Sequence, residues 1–223
     1  MDLKSSSIVK SLLDIRFFYL FLGIIALQYI FLFVNTNFIL ADGNSYNSLK
    51  EIYSIDGVEK DEKSNISIII LNYLFPWVLF SVKFIVISLT LVAGFLLAGI
   101  KNIKLLYVFK IVIIAELIFF IRSFYRLYYF GIVEPNFTIE DYQSYTPLSV
   151  KNIFIDAVPR EFHYILSLIN IYEVFYVVIL SLLFCKVLYG VKNMKIISSV
   201  SLSYFSLIIF WSLFITLINI LNT

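Results

Sequence analysis

The stretch SLINIYEVFYVVILSLLFCKVLYG, residues 167–190, is apolar enough to cross a bilayer, yet it carries Glu173 inside the run. A charged side chain in the hydrocarbon costs at least about 2.5 kcal/mol on insertion scales, so it needs an internal partner. At about 100° per residue, one face of a helix would collect the polar residues Ser167, Asn170, Glu173 and Ser181. The stretch therefore predicts a membrane helix whose polar face points into a bundle.

The composition of the chain indicates an integral membrane protein. Of its 223 residues, 61% are hydrophobic, 18% are aromatic and only 14% are charged, which leaves too little polar surface for a water-soluble domain. The net charge of +2 is too small to favour nucleic-acid binding. One cysteine, Cys185, excludes an internal disulfide, and with the single His163 it forms no zinc-ligand pattern. We therefore expect no metal site and no cofactor.

Apolar runs predict an all-α bundle of five transmembrane helices within a domain of residues 17–223. A proline inside a helix removes a hydrogen bond, so the run 66–100 is divided at Pro76, with residues 66–75 as an interfacial or tilted lead-in. The first span is expected to remain uncleaved. The predicted spans cover about residues 17–34, 77–100, 105–124, 164–185 and 200–221. In the second span, a stripe of small residues predicts close helix packing: Thr90, Gly94 and Ala98.

Lysine and arginine positions predict the side on which each loop lies. Positive residues occupy the segment 1–16 and the turns 101–104 and 186–195, whereas acidic residues are concentrated in the loops 35–65 and 127–163. The positive-inside rule then places the N-terminus in the cytoplasm and the C-terminus outside, and we expect a bacterial cytoplasmic membrane. Residues 1–16 are interpreted either as an amphipathic helix on the inner surface or as a plain positive flank.

The second outer loop predicts a short extracytoplasmic amphipathic helix over residues 147–157. Thr146 is the expected cap and Pro147 the first helical residue. The apolar face would contain Val150, Ile153 and Phe154. Two interpretations stay open, docking of an extracytoplasmic partner and simple packing on the edge of the bundle. Just before this loop, FFIRSFYRLYYF at residues 119–130 is typical of an aromatic and arginine belt at the outer interface.

Polar residues within the spans predict one intramembrane cluster of Lys83, Glu116, Asn170 and Glu173. Counting from the lysines of the inner turns places both acids roughly 18–20 Å above the inner surface. Lys83 is expected to reach one or both carboxylates, and Asn170 to supply a further hydrogen bond. The cluster is either a polar knot that fixes helix register or a site that handles protons or ions. The knot is favoured, because two acids and one lysine do not by themselves form a pathway.

The segment SLINIYEVFYVVILSLLF also resembles the penultimate-helix signature of the Yip1-like family, roughly Leu-Asn-Leu-Phe-Glu-x-Trp followed by an aliphatic run. Asn170 and Glu173 match that signature, whereas Tyr172 and Phe175 stand where the family tends to have Phe and Trp. Leu183 departs from it, since the family commonly has Gly at that point.

The resemblance extends loosely over residues 66–221 and implies a five-span fold with a cytoplasmic N-terminus. Eukaryotic members of the family are associated with vesicle trafficking and small GTPases, and bacterial members have no agreed role. Because we expect no long cytoplasmic N-terminal domain here, a link to GTPases is not expected. The resemblance thus implies a fold and a non-enzymatic role.

No pattern of catalytic residues is evident in the sequence. Every aspartate lies outside the predicted spans, Ser81 and Lys83 would point about 200° apart on a helix, and there is no glycine-rich loop for a nucleotide. We therefore expect that the protein is not an enzyme. One hypothesis is an accessory or scaffold subunit that lies in the lipid bilayer and binds a membrane-protein partner or complex. The alternative is a small transporter or permease subunit that uses Lys83, Glu116 and Glu173. Five spans do not divide into two equal halves, which favours the scaffold.

Overall fold

The computed structural model describes residues 14–35, 62–101, 103–135, 137, 141–142, 145–154, 157–159 and 162–221. These residues form helices and no β-strand, so the predicted all-α class is confirmed for this part of the chain. The elements follow in the order α1 (Phe17–Val34), α2 (Glu62–Leu97), α3 (Leu105–Ala115), α4 (Leu117–Tyr128), a π-helical turn (Tyr129–Val133), α5 (Lys151–Phe154), α6 (His163–Leu168), α7 (Ile171–Val187) and α8 (Asn193–Leu221).

Three helical segments are long and apolar enough to cross a membrane, namely Phe17–Val34, Trp77–Leu97 and Asn193–Ile218. Helix α8 has the surface of a membrane helix. Its apolar Leu202 and Phe210 are 73% and 70% exposed, whereas Ser212 and Thr216 are buried. In water this distribution would be reversed, because apolar side chains would be buried first. The exposed surface of α8 therefore fits lipid, which agrees with an integral membrane protein.

Helix α2 runs without interruption through Pro76, so the predicted break there is wrong. Proline is tolerated in membrane helices, because neighbouring groups can satisfy the carbonyl that its missing N–H leaves free. The 36 residues of α2 extend over about 54 Å, well beyond a hydrocarbon core of about 30 Å. Only its segment Trp77–Leu97 qualifies as a candidate span.

The boundaries of the last three predicted spans also differ. The run 105–124 forms two helices that meet at Glu116, and the second continues to Tyr128. The run 164–185 is broken, because α6 ends at Leu168 and Asn170 is extended with φ −138° and ψ 163°. Helix α8 begins at Asn193 rather than at residue 200. The face predicted for span four therefore does not pass through Asn170.

The chain divides into two compact units by its contacts. Unit 1 contains the described residues of Met1–Ile24, Phe84–Arg122 and Thr146–Thr223, and unit 2 those of Ile25–Lys83 and Ser123–Tyr145. In unit 1, α7 packs against α8 and α3. Its largest fully buried side chains include Tyr176, Phe95 and Phe184, and the rings of Phe95 and Phe184 lie 4.8 Å apart between α2 and α7.

Three contacts fix the register of α8 in unit 1. At its start, the Asn193 carbonyl lies 3.9 Å from the Cys185 sulfur at the end of α7. Further along, Tyr204 bonds to Glu173 near the beginning of α7. Beyond that, the Trp211 indole N–H donates to the Tyr164 hydroxyl of α6 over 2.9 Å. Residue numbers rise along α8 as they fall along α7 and α6, so α8 runs antiparallel to both.

Helices α2 and α8 approach each other closely at Gly94. The Ser199 hydroxyl donates to the Gly94 carbonyl over 3.0 Å, and a Cβ added to Gly94 would lie 2.9 Å from the Cβ of Ser203. No ordinary Cβ contact is that short, so only glycine fits without movement of the neighbouring helix. The small-residue stripe of α2 is thus used at this position for close packing, as the sequence predicted.

The segment 146–154, which the sequence predicted to lie outside and which we call the outer segment, pairs with the break between α6 and α7. The Val150 N–H donates to the Ile169 carbonyl over 2.9 Å, and the Ile171 N–H donates to the Leu148 carbonyl over 3.3 Å. Ile171 is the first residue of α7, where a backbone N–H has no partner within the helix. The segment therefore satisfies the start of α7, which explains how the chain can be interrupted there.

Unit 2 contains an aromatic cluster of Phe130, Phe137, Tyr142, Tyr145 and Tyr129. Arg126 lies with its guanidinium 3.8 Å from the centre of the Tyr142 ring and donates to the Tyr142 carbonyl over 2.6 Å. The Tyr142 hydroxyl donates to the Asn35 side-chain oxygen. Arg126 thus ties Tyr142 to α4, in addition to its predicted place in an interfacial belt.

We predict that Gly94→Ala destabilises the protein by about 1–3 kcal/mol, because the added methyl group overpacks the contact with Ser203. Gly23→Ala is the matched control, since nothing lies within 4 Å of its added Cβ. That control should be neutral or slightly stabilising. Thermal unfolding in detergent measures both, and Ser203→Gly should restore stability to the Gly94→Ala variant. Equal effects of the two alanine substitutions would show that α2 and α8 do not meet at Gly94.

Candidate functional site

Asn170 and Glu173 form the start of helix α7. The Asn170 side-chain oxygen accepts the Glu173 backbone N–H over 3.0 Å, and the Asn170 amide donates to the Ser167 carbonyl over 2.9 Å. Asparagine is a preferred N-cap because its short side chain reaches N–H groups that the helix leaves without partners. Asn170 therefore bonds to the backbone of Glu173 and not to its carboxylate, which differs from the role predicted for it.

Glu173 stands in the first turn of α7, where the helix dipole favours negative charge. Its carboxylate accepts a hydrogen bond of 2.6 Å from the Tyr204 hydroxyl on α8. Tyr204 is thus a partner of this carboxylate that the predicted cluster of Lys83, Glu116, Asn170 and Glu173 did not include. Tyr204 was missed because it is one of 16 tyrosines in the sequence, and only the register of α7 against α8 distinguishes it.

Glu116 and Tyr176 are the next residues of the site. Glu116 is 3% exposed at the junction of α3 and α4, and Tyr176 of α7 is completely buried. The Tyr176 ring lies 5.0 Å from that of Tyr204 and 5.2 Å from that of Phe119. The Phe119 backbone N–H donates to the Glu116 carbonyl over 3.0 Å, which places Glu116 one turn from the ring that meets Tyr176. We call these four residues, Glu116, Glu173, Tyr176 and Tyr204, the tyrosine–carboxylate cluster.

Two hydroxyls in the interior of unit 1 are completely buried and have no hydrogen-bond partner among the described residues: Tyr176 and Ser88. The side chain of Ser181 is 5% exposed, and its hydroxyl also has no hydrogen-bond partner among the described residues. Serine in a membrane helix often donates to the carbonyl four residues earlier, as Ser81 does to Trp77. Ser88 and Ser181 make no such bond.

Two lysines, Lys83 and Lys110, lie within the predicted spans. Lys83 is half-buried and belongs to unit 2, so its pairing with Glu116 or Glu173 stays a prediction. Lys110, which is absent from the predicted intramembrane cluster, is only 7% exposed on α3. Its position in the middle of the run LLYVFKIVIIA was the available signal.

The predicted docking residues lie in or beside a helix much shorter than expected. Helix α5 covers only Lys151–Phe154, so Pro147 is not its first residue. Thr146 acts through its backbone carbonyl, which accepts from the Ser149 hydroxyl and the Asn152 amide. Ile153 is 75% exposed and Phe154 47% exposed, whereas Val150 is half-buried against the start of α7.

The pKa values of two tyrosines in unit 2, Tyr129 and Tyr142, are shifted by their surroundings. Burial raises the pKa of the Tyr142 hydroxyl, and the Arg126 charge and the hydrogen bond to Asn35 partly offset that rise. The hydrogen bond that Tyr129 donates to Glu134 raises the pKa of the Tyr129 hydroxyl. Both groups therefore remain neutral phenols at physiological pH and serve as hydrogen-bond donors.

The described side chains include no group of three or more His, Cys, Asp or Glu residues that could hold a metal ion. The chemistry within reach of the tyrosine–carboxylate cluster is thus that of oxygen atoms alone. Phenols and carboxylates can share protons, bind water or coordinate a hard cation.

We predict that Tyr204→Phe lowers the free energy of unfolding by about 1.5–3 kcal/mol, because it removes a hydrogen bond to a charged acceptor. In a Glu173→Gln background the same substitution should cost less, since the bond then has a neutral acceptor. Unfolding in detergent measures the four variants of this cycle.

Tyr189→Phe is the control for the Tyr204 cycle, because Tyr189 is 58% exposed and lies outside the cluster. It should leave stability unchanged. If Tyr204→Phe costs the same in the unaltered chain and in the Glu173→Gln background, the two side chains do not interact and the register of α8 against α7 is wrong.

Comparison with known proteins adds no assignment to these observations. No family model, no curated protein and no solved structure matches the chain. The resemblance to the Yip1-like family therefore stays a prediction that depends on the sequence around Asn170 and Glu173.

Proposed function

We propose that the protein is a non-enzymatic accessory or scaffold subunit of a larger membrane complex. The observation that carries this proposal is the outer segment 146–154, which is held by backbone hydrogen bonds to Ile169 and Ile171 yet exposes Ile153 and Phe154. A segment fixed in this way presents an apolar surface with little loss of conformational entropy when a partner binds. The expected partner is another membrane protein with an extracytoplasmic surface.

The interior of unit 1 supports a static role. Tyr204 joins α8 to Glu173, Ser199 joins α8 to the Gly94 carbonyl, and Asn170 caps α7. Each of these polar groups fixes one helix relative to another or fixes the start of a helix. This is what the polar-knot interpretation requires, because a scaffold needs its buried charges satisfied.

We also propose five spans, with the N-terminus in the cytoplasm of a bacterial cell and the C-terminus outside. Helices α3 and α4 together, and α6 and α7 together, would supply the two further spans. In support, Lys195 lies close to Gly99, so the lysine-rich turns 101–104 and 186–195 are at the same end of unit 1. Membership of the Yip1-like family, with its five-span layout, remains part of this proposal.

A small transporter or permease subunit is the second candidate function. The observation that favours it is the hydroxyl of the completely buried Tyr176, one turn after Glu173 on α7, which has no hydrogen-bond partner among the described residues. A transporter needs these groups to be reached by water. A cysteine at Ser181 would then react with a small thiol reagent in membranes, whereas a sealed knot would leave it unreactive.

The five-span topology predicts a labelling pattern in intact cells. In a Cys185→Ser background, single cysteines at Asn44 and Ser144 should react with an impermeant thiol reagent, because both loops lie outside. Cysteines at Asn102 and Asn193 should react only after the membrane is permeabilised. The reverse pattern, or labelling of all four positions in intact cells, would disprove this topology.

The scaffold proposal predicts that Phe154→Asp releases a defined partner while the protein stays inserted in the membrane. A charge at this exposed position opposes burial of the apolar surface and leaves the backbone contacts of the segment unchanged. Purification from native membranes and quantitative mass spectrometry identify which proteins are lost at constant yield of the bait.

Met194→Asp is the matched control for Phe154→Asp. Met194 is 77% exposed in the first turn of α8, at the other end of unit 1, so the same chemical change should leave the partner bound. If the Phe154→Asp variant retained every co-purified protein, the outer segment would not dock a partner and would only pack on the edge of the bundle.

A further inference from the structure

Two turns at one end of unit 1 bring exposed lysines together. Helices α2 and α7 end there, and helices α3 and α8 begin there. A Cβ added to Gly99, just after α2, would lie 3.9 Å from the Lys195 ammonium. The contact between Asn193 and Cys185 brings the start of α8 beside the end of α7. We call the exposed lysines of these two turns and their borders the lysine cluster: Lys101, Lys104, Lys186, Lys192 and Lys195.

The described carboxylates of α3 and α7 lie too far away to neutralise this cluster. Glu116 stands at the far end of α3 from Lys104, and Glu173 stands near the far end of α7 from Lys186. At 1.5 Å per residue, each of these carboxylates is roughly 18–20 Å along its helix from the lysine. An interaction between exposed charges is largely screened beyond about 8–10 Å in physiological salt.

The helix ends and the start of α1 do not neutralise the cluster either. Two helices end beside the lysines with the negative end of their dipoles and two begin there with the positive end, so these partial charges largely cancel. Neither α3 nor α8 has an acidic residue in its first turn. Asp14, the remaining described acid of unit 1, is followed by Arg16, which offsets its charge. The described part of unit 1 thus leaves the cluster strongly positive.

Exposed apolar side chains border the lysine cluster. Leu97 is 90% exposed and lies four residues before Lys101, and Leu106 is 54% exposed and lies two residues after Lys104. Tyr189, in the turn between α7 and α8, is 58% exposed, and tyrosine is enriched where a membrane meets water. A ligand that fits this surface therefore needs a negative group and an apolar part next to each other.

We propose that the lysine cluster binds the headgroup of an anionic phospholipid, with the acyl chains against Leu97 and Leu106. A phospholipid carries its phosphate directly above its acyl chains, and basic pockets between membrane helices bind such headgroups. Inorganic phosphate and acidic proteins match the lysines but leave the neighbouring leucines uncovered. This site lies at the end of α7 opposite to the outer segment, so it goes beyond the scaffold role and can be tested independently of it.

The test uses the full chain purified in detergent. Phosphatidylglycerol added to the micelles should raise the midpoint of thermal unfolding saturably by at least about 3 °C, whereas phosphatidylcholine with the same acyl chains should not. Native mass spectrometry should detect retained phosphatidylglycerol on the chain. Equal shifts with the two lipids, or no shift with either, overturn the proposal.

Variants at two lysines locate the site. Lys101→Gln combined with Lys195→Gln should raise the phosphatidylglycerol concentration for half of the effect roughly 25-fold, about five-fold for each lysine. The matched control, Lys101→Arg with Lys195→Arg, keeps both charges and should bind as the unaltered chain does. Unchanged lipid dependence in the glutamine variant overturns the site. Should that variant fail to fold, mass spectrometry of the unaltered protein with the two lipids still decides whether the anionic lipid is preferred.

Soluble anions test whether the apolar part of the ligand is needed. Glycerol phosphate and polyglutamate carry negative charge without acyl chains, so neither should raise the midpoint at concentrations where phosphatidylglycerol saturates. A rise with glycerol phosphate equal to that with the lipid would assign the cluster to a free phosphate compound. An equal rise with polyglutamate would assign it to an acidic protein surface, and either result contradicts the lipid site.

Discussion

The hydrogen bond from the Tyr204 hydroxyl to the Glu173 carboxylate is the contact on which the arrangement of unit 1 depends. In a bilayer no water is available to satisfy a polar group, so a carboxylate on α7 requires a donor from another helix. Meeting that requirement fixes the level of α8 along α7. With α8 at this level, Ser199 and Ser203 lie against Gly94, and two helices can approach closely without a large side chain between them.

The features that the sequence predicted well are those that depend on local composition. Long apolar runs indicate membrane helices whatever their neighbours are, so the all-α class and the first helix, Phe17–Val34, follow from the sequence alone. Gly94 could be assigned to a packing contact for a similar reason, because a small residue in a span has few other uses. Glu116 was recognisable as an interior group, since a carboxylate is not stable in lipid, and it is buried, whereas Glu173 is half-buried.

The features that were missed depend on distances between helices. Nothing around Tyr204 in the sequence distinguishes it from other tyrosines, because its role arises from the register of α8 against α7. Asn170 was assigned to a helix face from its spacing, whereas the backbone of the outer segment pairs with Ile169 and Ile171 and lets the chain break there. At Pro76 the opposite error occurred, because a helix break was predicted where the helix continues. A membrane helix can continue through a proline that would end many helices in water.

The break at Asn170 connects the outer segment to the interior of unit 1. Leu148 satisfies the first N–H of α7, Asn170 caps the same turn, and Glu173 stands at the end of that turn with its carboxylate on Tyr204. Any displacement of the outer segment would therefore leave the Ile171 N–H without its partner and shift the turn that orients Glu173. A partner that binds at Phe154 would therefore act on this helix start, and through it on the contact between Glu173 and Tyr204 that joins α7 to α8.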